Sequence, residues 1–160
     1  SVCQRRKWRQ CNVGDRGNIV VEFPQQAGVE QTPQRIYLYT HWHGYRLGEV
    51  LRKSLSRGTS RWDDPPYLAR IIFSDMIEGQ EQELTGFGIS PDLRDNNRPL
   101  LRLSWIPGKP SKYAVKSDVG ELTLMVSVMT EDGKTLREVF AKKFIHFTDE
   151  QLATFTQEEG

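Results

Sequence analysis

Two histidines and a scatter of aspartates are the groups with which this chain could do chemistry. His41 and His43 stand two apart in the string THWHGYR, residues 40–46. On a strand they share a face, and two imidazoles on one face bind a divalent cation once a third ligand joins them. Asp63, Asp64 and Asp75 are the acids that might be recruited, but none holds a fixed metal-site spacing to the histidines. Without a metal, His41 or His43 paired with an aspartate is the minimum equipment of a small hydrolase working by general acid–base catalysis. The plainer reading leaves one ring exposed and the other hydrogen-bonded at a strand end. Asp63 and Asp64 precede Pro65, so they read first as a helix cap. Nucleophilic catalysis has no support. There is no Gly-x-Ser-x-Gly elbow, and both cysteines, Cys3 and Cys11, fall in a polar N-terminal stretch. The glycine strings at Gly58 and Gly86 lack the phosphate-loop and dinucleotide patterns.

Binding chemistry is better represented. A first cluster holds His41, Trp42, Tyr45 and Arg46, and a second holds Arg61, Trp62, Asp63 and Asp64, with Tyr67 close behind. Arginine offers a bidentate fork to phosphate, and tryptophan or tyrosine a stacking face. His41, Trp42, Tyr45, Arg46, Arg61 and Tyr67 are therefore the ligand-binding candidates. The ligand class is a small anionic, nucleotide-like molecule or a protein partner. No catalytic residue, metal ligand or cofactor is assigned. The two clusters are expected to converge. The first ends a strand, the second opens a helix, and the helix between them is about a dozen residues or ~18 Å long. A helix N-terminus there favours an anion, which Asp63 and Asp64 oppose. Trp42 and Trp62 read as packing groups before stacking platforms, because large aromatics dominate core energetics.

The elements that position these groups follow from periodicity. A β-rich run over 36–40 delivers the first cluster. Leu47, Val50, Leu51 and Leu55 recur at helical spacing, and Arg57-Gly58 ends that helix. Asp64 caps a second helix whose buried stripe is Leu68, Ile71, Ile72 and Met76, with Gly79 as its stop. Further strands are expected over 19–23, 85–90, 100–106 and 121–130, the first of them antiparallel to 36–40. Asp95-Asn96-Asn97 reads as a turn, and Asp132-Gly133 as a hairpin. Residues 136–147 fit both periods and are assigned mostly to strand. Thr148 and Gln151 form a capping box for a short terminal helix. The expected fold is α+β, one domain over 13–160, with a mainly antiparallel sheet. Two helices between 47 and 78 cover one face, and a short helix ends the chain.

Composition bounds the function. The 22 Lys+Arg and 21 Asp+Glu leave a net charge of +1, which argues against strong DNA binding or an acidic membrane surface but allows a local basic pocket. No apolar run approaches the ~18 residues of a membrane span. There is no secretory apolar core, and two cysteines make no disulfide framework, so the expected location is the cytoplasm. Residues 1–12 carry four basic side chains and no apolar period, and read as a basic arm that adds little to the core. The sharper alternative is nucleic-acid contact with Trp8 stacking.

The strings GDRGNIVV, IYLYTHWHG, RWDDPPYLARIIF and TGFGIS, with the later DNN, resemble those of a family of small uncharacterised proteins of bacteria and their phages. The resemblance covers residues 13 to about 105, and more weakly the FIHFTDEQL end. Members begin with Met at the position of Val13, so residues 1–12 are an extension relative to them. His43 stands where the family's HWGG version has a small residue. The resemblance implies no particular activity. If the protein is phage-encoded, it implies a counter-defence role in the host cytoplasm, sequestering a nucleotide signal or blocking a host protein.

Overall fold

The run Ile19-Val20-Val21 is buried on both sides, as a central strand must be. In the computed structural model it lies in β1 (Gly17–Glu22), between antiparallel β2 (Arg35–Thr40) and parallel β4 (Leu100–Pro107). The structure describes residues 14–25, 32–107, 114–117 and 120–157, so the basic arm and Trp8 lie outside the described residues. The short strand β3 (Phe87–Ser90) pairs with β2. On the other side β6 (Gly120–Met129) pairs with β4, and β5 (Ala114–Ser117) and β7 (Thr135–Phe140) occupy successive stretches of its outer edge. The order is β3-β2-β1-β4-β6, and every pairing except β1–β4 is antiparallel. The fold is α+β, as the periodicity predicts.

Alternation divides the sheet into two faces. Ile19, Val21, Leu38, Leu101, Leu103, Trp105, Leu124, Val126 and Val128 face one way and form the main core. Onto them pack α1 (Leu47–Arg57), α2 (Pro65–Met76), α3 (Ala141–Phe144) and α4 (Asp149–Thr156). The stripe Leu68, Ile71, Ile72 and Met76 is buried as its spacing requires. On the opposite face Val20, Leu100 and Met129 make a small cluster with Tyr37, beside ion pairs that run Arg35–Glu22–Arg102–Glu138.

Capping follows the sequence. Asp64 accepts from the Tyr67 N–H, and Thr148 and Gln151 cap α4 reciprocally. Several boundaries differ from expectation: β1 begins at Gly17, two residues before 19, and α2 ends at Met76, short of the expected stop at Gly79. Residues 136–147 split: β7 ends at Phe140, and Ala141 and Phe144 then turn into the core at helical spacing as α3. The strand expected from 85 begins only at Phe87, because Gly86 holds φ +101°, a left-handed conformation outside any strand.

Candidate functional site

β2 hands the chain to the first cluster at Thr40. Its Oγ1 accepts from the His43 N–H at 3.2 Å and the Trp42 N–H at 3.4 Å, so the side chain itself builds the turn. The His41 N–H donates to the Gly86 carbonyl at 2.9 Å. The strand therefore stops one residue before His41, and the shared face expected for His41 and His43 does not form. The His41 ring lies 5.8 Å from Tyr39, on the side away from the helices, and 5.9 Å from Trp42. The His43 ring stacks on Phe87 at 5.8 Å and 13° and meets the Gln80 amide nitrogen at 3.3 Å. Tyr45 stands beside His43 at 6.3 Å. Among the described residues no three His, Cys, Asp or Glu side chains gather as a metal site.

The glycines of the TGFGIS string are explained by these rings. A Cβ on Gly86 would meet the Trp42 ring at 2.6 Å, and one on Gly88 would meet the Tyr39 hydroxyl at 2.1 Å. The string serves as a floor for two aromatic side chains. Gly88→Ala is expected to destabilise by about 1–2 kcal/mol in thermal or urea unfolding, since Tyr39 must swing aside. An unchanged midpoint would mean that Tyr39 does not rest there.

The turn is anchored by Asp15, a residue whose sequence setting suggests only a turn. The Asp15 carbonyl accepts from the Gly44 N–H at 2.8 Å, and its carboxylate from the Tyr45 N–H at 3.1 Å. Arg98 Nε and Nη2 each donate to the same carboxylate at 2.7 Å, a bidentate pair. Next to it, the Arg16 N–H donates to Asn97 Oδ1, the Arg16 carbonyl accepts from the Asn97 N–H, and the Arg16 side chain pairs with Asp95, while Asn18 Nδ2 reaches the Arg94 carbonyl and Asn96 Oδ1. The strings GDRGN and RDNNR are thus a clasp. The DNN segment is a turn, as expected, whose side chains also hold β1. No spacing rule links positions about eighty residues apart, so composition alone could not pair them.

His43 is half-buried, and its Nδ1 is buried without a hydrogen-bond partner among the described residues. Burial first, then the nearby Arg46 charge, hold its pKa below the ordinary 6.5, against a smaller opposing pull from Asp15. The native state thus binds fewer protons than the unfolded chain as pH falls through about 6.5, so stability falls on acidification. His43→Gln is expected to flatten that part of the melting-temperature profile between neutral pH and about pH 5. A profile identical to the parent's would assign the acid sensitivity to other groups.

The second cluster lies elsewhere. Trp62 is buried, its indole N–H donating to the Leu55 carbonyl at 3.0 Å, and its own carbonyl accepts from Trp105 Nε1 at 2.9 Å. Trp105 is four residues beyond Leu101, which pairs with Ile19, whereas Thr40 pairs with Gly17 at the other end of β1. Six strand steps, about 20 Å at 3.3 Å each, separate the two levels. His41, Trp42, Tyr45 and Arg46 are therefore together at one end of the sheet. Arg61 and Tyr67, themselves in cation–π contact at 5.1 Å, are at the other. The expected convergence fails because α1 runs the length of the sheet and the second cluster begins the return helix. The residue that arrives back beside the turn is Gln80, just past the end of α2.

Compared with protein-family models, curated proteins and solved structures, the chain matches none. Its function must therefore be argued from the site itself. A cavity of about 320 Å³ opens beside Tyr45, between the start of α1 and the end of α4, lined also by Gly48, Glu49, Arg98, Asp149 and Thr156. Arg98 is held by Asp15 and Asp149 by Arg52, which leaves Glu49 to set the local charge. That is a poor seat for a phosphate. What the turn does offer is exposed apolar and aromatic surface. Tyr45 is 63% exposed and Trp42 38% on the turn, and Ile89 is 57% exposed on the edge strand β3. No helix among the described residues is long and apolar enough to cross a membrane.

Proposed function

We propose that this is a non-enzymatic binding protein that holds a partner protein on the turn at residues 41–46 and the adjoining edge strand β3. One observation carries the reading: Trp42, Tyr45 and Ile89 are exposed beside an arginine on a backbone that Asp15 fastens from below. Tryptophan, tyrosine and arginine dominate the energetics of protein interfaces, and a pre-fixed backbone lowers the entropy lost on binding. The hydrolase alternative loses ground because His41 and His43 diverge and neither accepts or donates a bond to a carboxylate among the described residues. The anionic-ligand alternative loses ground because Arg98 is engaged by Asp15 and Arg61 sits at the far end of the sheet. Following the resemblance to bacterial and phage proteins, the partner is a host protein met in the bacterial cytoplasm, and the role is counter-defence.

A photo-crosslinking pair tests this. A benzophenone side chain placed at Tyr45 is expected to trap one defined protein in bacterial cells. The same group at Tyr67, similarly exposed at the opposite end, is expected to trap none. Equal yields from both positions would remove the assignment. So would a clear melting-temperature rise with nucleotides and no crosslink at Tyr45, which would favour the anionic ligand instead.

A further inference from the structure

The cavity of about 320 Å³ beside Tyr45 has an apolar bottom and a charged mouth. Leu47, Leu101 and Leu152 line it and are buried members of the main core. Tyr45 and Glu49 line it too, but both are exposed, which places them at its opening. Along α4 the lining residues are Asp149, Leu152, Ala153 and Thr156, one face of the helix, so the cavity follows α4 for about two turns. Its wall depends on Gly48. A Cβ there would meet Thr156 Cγ2 at 3.1 Å and Leu152 Cδ1 at 3.3 Å, so α1 and α4 close on each other at that point. Such a volume, mostly apolar with a few polar groups, is the ordinary form of a small-ligand site. Three charged side chains line it: Glu49, Arg98 and Asp149. Arg98 is taken by Asp15 at 2.7 Å, and Asp149 by Arg52 at 2.9 Å. Glu49 forms no ion pair among the described residues, so one negative charge is left over.

We propose that this cavity binds a primary alkylammonium group, whose chain lies on Leu47, Leu101 and Leu152 and whose NH₃⁺ meets the Glu49 carboxylate. The lining rejects the alternatives one by one. An anion would meet Glu49 with no free arginine to offset it. A neutral apolar molecule would leave the unpaired charge unused. A diamine would find no second free acid, and its other ammonium would have to give up water for leucine side chains. A metal ion needs several ligands, and no cluster of three His, Cys, Asp or Glu stands among the described residues. An ammonium has three N–H donors, and the Thr156 hydroxyl and the Gln157 amide oxygen lie in the same lining to share them with Glu49. The Tyr45 ring at the opening adds a face that favours a cation. The group can be carried by a free amine or by a lysine side chain of another protein. Either way the site is separate from the partner surface proposed on the turn and does not depend on it.

The test is a titration of ¹⁵N-labelled full chain with butylamine at neutral pH. Saturable amide shifts are expected at residues 44–49, 98–101 and 149–157, with half-saturation at roughly ten millimolar or below for so small a ligand. Butanol, the same size without the charge, is expected to bind more weakly, and butyrate to give no shifts there. Glu49→Gln is expected to weaken butylamine about two- to fivefold, the range an exposed ion pair supplies, while leaving butanol unchanged, a split that a general loss of structure would not produce. Ala153→Phe, which fills the cavity from an exposed position on α4, is expected to abolish binding of both. Acetyl-lysine methylamide carries the same butylammonium on a peptide backbone. Tighter binding than butylamine would assign the group to a protein side chain, and weaker binding to a free amine. Absence of saturable shifts with both amines would overturn the proposal. So would butanol binding as tightly as butylamine, a butylamine affinity that Glu49→Gln leaves unchanged, or undiminished binding to folded Ala153→Phe protein.

Discussion

Trp62→Ala is expected to be the more damaging of two contrasting changes in the RWDD string, at about 3–5 kcal/mol in urea unfolding. Tyr67→Ala, five residues on, is expected to cost no more than about half a kcal/mol, the usual surface value. The reason is placement. Trp62 is 4% exposed, and its ring lies in the main core with Leu55 and Leu68. Its indole N–H meets the Leu55 carbonyl in the last turn of α1, one of the carbonyls that a helix end leaves unsatisfied. The Trp62 carbonyl in turn takes the Trp105 indole N–H, so the connection between α1 and α2 is tied to β4. Alanine keeps that last bond but loses the ring and the bond to Leu55, and leaves a cavity the size of an indole. A loss below about 1 kcal/mol, with Tyr67→Ala equally costly, would mean that the string is held by its exposed face.

The same string shows what was legible in the sequence. The burial of a large aromatic, the Asp64-Pro65 helix start and the stripe Leu68, Ile71, Ile72 and Met76 are local properties, set by side-chain volume and by a period of 3.6. The α+β class and the Thr148 capping box were legible for the same reason. The position of the second cluster relative to the first was not. It depends on where α1 ends along the sheet, and that is a tertiary fact. Residues 136–147 were ambiguous because two periods overlap there, and only the core decides that Phe144 turns inward after Phe140. The candidate site was half legible. Its aromatic and basic residues stand out by type, but the glycines beneath them and the Asp15–Arg98 anchor act across long sequence separations that leave no local trace.

That anchor carries the second large expectation. Asp15→Ala should destabilise by about 1.5–3 kcal/mol, the range for hydrogen bonds to charged groups. An exposed ion pair alone would contribute less than ~1 kcal/mol. Here the carboxylate side chain is only 24% exposed and accepts three bonds, two from Arg98 and one from the Tyr45 N–H. Bidentate geometry fixes both partners, and the pairing holds the Arg98 guanidinium pKa above its ordinary value, by the hydrogen bonds to Asp15 before the charge itself. Asp15→Asn should cost about half as much, because an amide oxygen still receives the Tyr45 N–H while the charge is gone. Arg98→Ala should cost less than Asp15→Ala, since it spares the bond to the turn. The double variant should fall short of the sum by about 1 kcal/mol, the signature of two residues in one network. Crosslinking through position 45 should drop with Asp15→Ala even below the unfolding temperature, because Gly44 and Tyr45 lose the carboxylate that sets their backbone. Additive single-variant losses would show that Arg98 and Asp15 act separately. A destabilised Asp15→Ala protein with undiminished crosslinking would show that the anchor serves the fold and leaves the turn's binding surface unaffected.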